Sequence, residues 1–82
     1  MKYKIEFKPR STKDLRTINS DDARKILIKI REMENDLNGD VKRHTDFEPQ
    51  YRLRVGNYRV LFNVENNAVV IYRIKHRREV YK

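Results

Sequence analysis

Arg52, Arg54 and Arg59 stand at a spacing that a β-hairpin would gather onto one surface. The segment Tyr51-Arg52-Leu53-Arg54-Val55-Gly56-Asn57-Tyr58-Arg59 alternates apolar and basic residues on either side of Gly56-Asn57, a two-residue hairpin loop of the Gly-X kind. Closing that loop sets Val55 against Tyr58, Arg54 against Arg59 and Leu53 against Val60. Directly opposed like charges destabilise a ladder, so such a surface is built to receive a polyanion. A second basic group follows in the tail, where Lys75, His76, Arg77, Arg78 and Tyr81 lie close together. Guanidinium groups orient a phosphate and stabilise the charge of a pentacoordinate phosphorus. Proton transfer needs His, Tyr, Lys or a carboxylate, because arginine stays protonated. In the basic half of the chain, His76 and Tyr81 are the groups suited to that task. This set fits cleavage of RNA by its own 2′-hydroxyl, where the substrate supplies the nucleophile and the protein supplies orientation, charge and proton movement.

Other chemistries lack their residues. There is no cysteine, hence no disulfide framework, zinc thiolate or thiol nucleophile, and a reducing cytoplasm is the expected compartment. His44 and His76, without an acidic cluster nearby, make no metal site, and no cofactor is expected. Gly39 and Gly56 are isolated, so no glycine-rich phosphate loop exists. No apolar run reaches transmembrane length, and the start Met1–Phe7 lacks the apolar core of a signal peptide, so no membrane partner is expected. The net charge of +8 divides into +2 for residues 1–40 and +6 for residues 41–82, and the second half prefers Arg to Lys by seven to three. Arginine's planar fork matches phosphate and stacks on bases, which points to a nucleic-acid partner.

The elements that must position these groups follow from periodicity. With 82 residues the chain forms one domain spanning residues 1–82. Residues 3–7 alternate as a strand, and Lys8-Pro9-Arg10 ends it. Ser11 with Asp14 reads as the capping box of a short helix carrying Leu15 and Ile18 inward. Ser20, Asp21 and Asp22 open a second helix, whose apolar positions Ala23, Ile26, Leu27, Ile30, Met33 and Leu37 predict about five turns. Residues 40–49 read as a polar loop, within which His44 has no assigned role. Strands follow at about 50–55, 58–64 and 68–75. The expected architecture is α+β: an N-terminal strand, a two-helix hairpin, then a three-stranded antiparallel meander, with the helices on the apolar face of one sheet. Tyr51, Leu53, Val55, Tyr58, Val60, Phe62 and Val64 should face those helices, and the arginines, with Tyr72, should face outward.

The run Tyr51-Arg52-Leu53-Arg54-Val55-Gly56-Asn57-Tyr58-Arg59-Val60-Leu61-Phe62, followed by His76-Arg77-Arg78-Glu79-Val80-Tyr81, resembles the RelE/ParE family of toxins from toxin–antitoxin pairs, over nearly the whole chain. The resemblance implies a compact toxin related in fold to small microbial ribonucleases. It also implies an acidic antitoxin that wraps the toxin into a hetero-oligomer. For RelE-like members it implies cleavage of messenger RNA in the ribosomal A site, leaving a 2′,3′-cyclic phosphate. Carried over by position, Arg54, Arg59, Arg77 and Tyr81 become catalytic, with His76 as a further proton carrier, and Arg52, Lys75 and Arg78 become RNA-binding. Some members have lysines where Arg52 and Arg54 stand. Arg54 is too basic to release a proton readily, so the acid must be another group, and His76 is the candidate. Two other readings stay open: a ParE-like inhibitor of DNA gyrase on the same scaffold, and a non-enzymatic nucleic-acid or ribosome-binding module.

Overall fold

Alternation in Tyr51–Val55 and Tyr58–Glu65 produces two antiparallel strands with Leu53 paired to Val60, Arg54 to Arg59 and Val55 to Tyr58. Gly56 turns the hairpin at φ +57, a conformation that lacks a steric cost without a Cβ. The computed structural model describes residues 1–80. Its elements are β1 (Lys4–Phe7), α1 (Pro9–Thr17), α2 (Ser20–Glu32), β2 (Val41–Arg43), β3 (Tyr51–Val55), β4 (Tyr58–Glu65), β5 (Ala68–His76) and α3 (Arg77–Val80). They form an α+β fold around one sheet of order β1-β5-β4-β3-β2.

The sheet is larger than the meander alone. β1 pairs parallel to β5, placing Ile5 beside Val69 and Phe7 beside Ile71. β2 lies within the segment read as a loop, and pairs antiparallel to β3. Its register explains why it forms: Val41 meets buried Leu53, while Lys42 meets Arg52 on the solvent side. Three residues with two basic side chains are typical of a protected edge strand, and too short for periodicity to reveal.

Ile26, Ile30 and Met33 of the helical segment pack on Leu53, Val60, Phe62, Val69, Ile71 and Ile74, all essentially buried. Tyr51, Val55, Tyr58 and Val64 flank this cluster, so the seven residues expected under the helices are there. Burial of this apolar surface, at about 25 cal/mol per Å², is the main stabilising term.

Both helices differ from expectation at their ends. α1 starts at Pro9, with proline's fixed φ suited to the first turn. Ser11 lies inside the helix, wholly buried, and its hydroxyl donates to the Lys8 carbonyl at 2.7 Å. α2 is capped by Asn19, whose side chain accepts from the Asp22 N–H at 2.9 Å, and it stops at Glu32. Residues 34–36 turn instead to the N-terminus: the Tyr3 N–H donates to the Glu34 carbonyl, and the Asp36 N–H to that of Met1. Asp36 and Leu37 accordingly adopt φ +56. Leu37 still reaches the core, which is why the apolar spacing concealed the helix end.

Asp14 does not serve a cap. β1 ends at Phe7, so the edge of β5 beyond Ile71 lacks a strand partner, and the Asp14 carboxylate takes that place. It accepts from the Ile74 N–H at 2.9 Å and from Arg73 Nε and Nη2 at 2.8 and 3.1 Å. Burial works to raise its pKa, but the Arg73 and Ile74 hydrogen bonds and the charges of Arg73 and Arg10 together outweigh it, leaving the carboxyl below its ordinary value. A depressed folded pKa means stability that is full above the ordinary value of 3.8 and lost as pH falls through the lowered one. Asp14→Asn should cost about 1–3 kcal/mol at neutral pH. Urea melts at pH 7 and pH 3 should show the gap between variant and parent narrowing in acid.

Candidate active site

The outward face of the sheet carries a cationic band set by register. Lys42 opposes Arg52 across β2 and β3, Arg54 opposes Arg59 across β3 and β4, and Arg59 opposes Lys75 across β4 and β5. Within it a small cleft of about 110 Å³ is lined by Asp40, Lys42, His44, Arg52, Arg54 and Arg59. At about 30 Å³ per water, this accommodates a phosphoryl group and little more.

The arginines are held in place. The Arg54 Nε forms an ion pair with Asp40 Oδ2 at 2.9 Å, and the Arg54 backbone N–H donates to the Asp40 carbonyl at 2.9 Å. Arg59 Nη1 donates to the carbonyls of Gly56 and Tyr58 at 3.0 and 2.9 Å, so the hairpin loop that creates the opposition also anchors one of its members. The Arg52 guanidinium lies 5.2 Å over the Phe47 ring. Oriented charges need no reorganisation when an anion arrives, which is what electrostatic stabilisation of a phosphorane requires.

The remaining candidates separate. Lys75 joins the band through its pairing with Arg59. Arg77 opens α3, and its N–H donates to the Asn57 carbonyl at 2.8 Å, tying it to the hairpin end that anchors Arg59. Arg78 is exposed, with its N–H donating to His76 Nδ1 at 3.3 Å. Tyr81, together with Lys82, lies outside the described residues.

His76 falls on the other face, and a β-bulge is the reason. Phe62 pairs with Ile71 but Leu61 pairs with Arg73, so Tyr72 is an extra residue on β5. One inserted residue exchanges the faces of everything after it. Lys75 is thereby turned to the arginines, and His76 to the side of Tyr58 and Ile74, where its ring meets Tyr58 edge-on at 5.6 Å. Tyr72 itself is tied up, donating to Glu65 at 2.6 Å beneath Lys8.

Sequence reasoning missed Asp40, Lys42 and His44. The local signal was nearly absent, since Val41 is the one apolar residue before Lys42, Arg43 and His44, and it is the pairing with β3 that sets Lys42 opposite Arg52. That pairing also brings the half-buried His44 to the arginines, where the apparent loop had left it without a role.

Asp40 is the one carboxylate among the residues lining the cleft, and it competes with any phosphate for Arg54. Asp40→Asn should therefore tighten single-stranded RNA binding, by up to about 1 kcal/mol for so exposed a pair. Arg59→Ala should weaken it and reduce the salt slope by about 0.7. Fluorescence anisotropy across a salt series reads both, and unchanged affinities would place the RNA elsewhere.

Residues 5–81 match the family model described as the ParE toxin of the type II toxin–antitoxin system parDE. Toxin RelE3 of Methanocaldococcus jannaschii is 31% identical over 83 residues, covering 95% of this chain and 94% of that one. The RelB–RelE antitoxin–toxin complex from Methanococcus jannaschii matches with a TM-score of 0.77 at 29% identity, covering 93% of this chain and 94% of that chain. The RelBE2 toxin–antitoxin complex from Mycobacterium tuberculosis matches with a TM-score of 0.80 at 20% identity, covering 93% and 99%. A mutant of E. coli RelE in the free state gives 0.71 at 21%, covering 99% and 92%. The last two likenesses speak to the fold alone.

Proposed function

This chain belongs to the RelE/ParE family of toxins of type II toxin–antitoxin systems, and from there we propose that it is a RelE-type, metal-independent endoribonuclease that cuts messenger RNA in the ribosomal A site. The observation that carries this reading is the cleft in which Arg54 and Arg59 are held by Asp40 and by loop carbonyls. Arg54 and Arg59 take the non-bridging oxygens of the scissile phosphate, and Arg77 joins them from the start of α3. Arg52, Lys75 and Arg78 hold the flanking backbone. The 2′-hydroxyl attacks phosphorus, Tyr81 receives its proton, and the 5′-oxygen departs, leaving a 2′,3′-cyclic phosphate. His76 takes no part, since strand parity turns it to the helix side.

The relatives solved as complexes support an antitoxin partner for this chain as well. We propose an acidic polypeptide that spans two surfaces. Its carboxylates cover the cationic band, and an apolar segment fills a groove of about 760 Å³ between β1 and α2, lined by Ile5, Phe7, Leu27 and Ile28. Phe7, Leu27 and Ile28 are 38%, 43% and 53% exposed, leaving the groove open.

Purified protein treated with EDTA and then freed of it should cut the A-site codon on programmed ribosomes as well as untreated protein does. Loss of cutting on chelation, or ends lacking a cyclic phosphate, would count against the mechanism. Arg59→Ala should lose at least about 100-fold in rate and no longer arrest growth, while keeping its fold. Intact messages with accumulated gyrase–DNA cleavage complexes would select the ParE-like alternative, and salt-sensitive binding without toxicity would select a plain binding module. Leu27→Asp should remain toxic but escape the antitoxin, measured by co-purification from cells expressing both.

A further inference from the structure

Departure of the 5′-oxygen needs a proton, and the groups so far placed at the phosphate do not release one. Arg52, Arg54 and Arg59 stay protonated. Asp40 is engaged as the ionised partner of Arg54, so it accepts and does not donate. His76 lies across the sheet.

We infer that His44, resting on the endonuclease reading, is the general acid that protonates the leaving 5′-oxygen. It lines the same cleft as Arg52, Arg54 and Arg59, with Asp40 and Lys42 as the other charged groups around it. Its backbone is fixed at the end of β2: the N–H donates to the Gln50 carbonyl at 2.6 Å, and its carbonyl accepts from the Phe47 N–H at 3.3 Å. The ring meets Phe47 edge-on at 6.3 Å, and the other contact of that phenyl ring is the Arg52 guanidinium at 5.2 Å. One exposed aromatic thus sets the imidazole and a phosphate-binding arginine relative to each other. Lys42, and Lys75 opposite Arg59, are the other proton-bearing side chains at hand, but an ammonium holds its proton far more tightly than an imidazolium, and acid catalysis is best near neutral pH.

The step balances as follows. The O2′–P bond forms as the 2′-hydroxyl proton passes to Tyr81 acting as its phenolate, which becomes the phenol. The P–O5′ bond breaks, and its electron pair on O5′ takes the proton from the His44 imidazolium. The products are a 2′,3′-cyclic phosphate, a 5′-hydroxyl, the Tyr81 phenol and a neutral imidazole; water takes the proton from the phenol and returns one to the imidazole.

The test is single-turnover cleavage on programmed ribosomes of two messages, one ordinary and one with sulfur replacing the bridging 5′-oxygen at the A-site phosphate. A thiolate leaves without a proton. His44→Gln and His44→Asn should slow the oxygen substrate by about 10²- to 10⁴-fold and the sulfur substrate by less than about threefold. Equal slowing of both substrates would make His44 a positioning or structural residue. No slowing of either, or selective sulfur rescue of Lys42→Ala instead, would also overturn the assignment. If the parent protein leaves both messages intact, the nuclease reading itself fails and His44 falls with it. An active parent with an unaffected His44 variant removes His44 alone.

Discussion

Two arginines paired directly across a β-ladder are the constraint around which the outward surface is arranged. Unit charges 4 Å apart repel by about 1 kcal/mol in water and about 4 kcal/mol where the effective dielectric falls to 20. The register of β3 and β4 makes the opposition of Arg54 and Arg59 unavoidable, and the neighbouring pairs of Lys42 with Arg52 and Arg59 with Lys75 extend it. Local groups offset part of the repulsion: the Asp40 carboxylate on Arg54, and the two loop carbonyls on Arg59. What remains is relieved by an anion. A bound phosphate therefore completes the electrostatics of the surface, and the same logic applies to a partner rich in carboxylates.

The opposite face makes this tolerable. Leu53, Val60, Phe62, Val69, Ile71 and Ile74 are buried beneath the helical segment, and this packing fixes the strands whose other side chains form the cleft. Groups on paired strands are held more closely than groups on loops. The bulge at Tyr72 adds a second decision, since it determines which of the tail residues share a face with the arginines. Lys75 and His76 exchange sides because of one residue.

The face assignment of the hairpin was legible because alternation and a glycine turn act locally and agree with each other. Legibility failed where the deciding partner was distant in sequence. β2 is recognisable only once Leu53 is available to pair with Val41, so His44 looked like a loop residue. Asp14 satisfied a local capping rule with Ser11, yet its contacts are with Arg73 and Ile74, some sixty positions away. The end of α2 was hidden because Met33 and Leu37 remain in the core after the backbone has ceased to be helical. The bulge leaves no composition signal in the run Val69-Val70-Ile71-Tyr72, which is apolar on both parities. Tyr81, reached from its chemistry and from the resemblance, lies outside the described residues.

The parallel pairing of β1 with β5 has a consequence for how the molecule comes into being. Lys4 is matched to Ala68 and Phe7 to Ile71, so the first strand has no seat until β5 has been made. Contacts so distant in sequence form late and slowly. During synthesis the two helices emerge well before β5, which β1, β4 and Asp14 all require. A polypeptide that stops short of β5 therefore lacks the strand on which β4 rests, and the surface is finished only once residues 68–76 have been made.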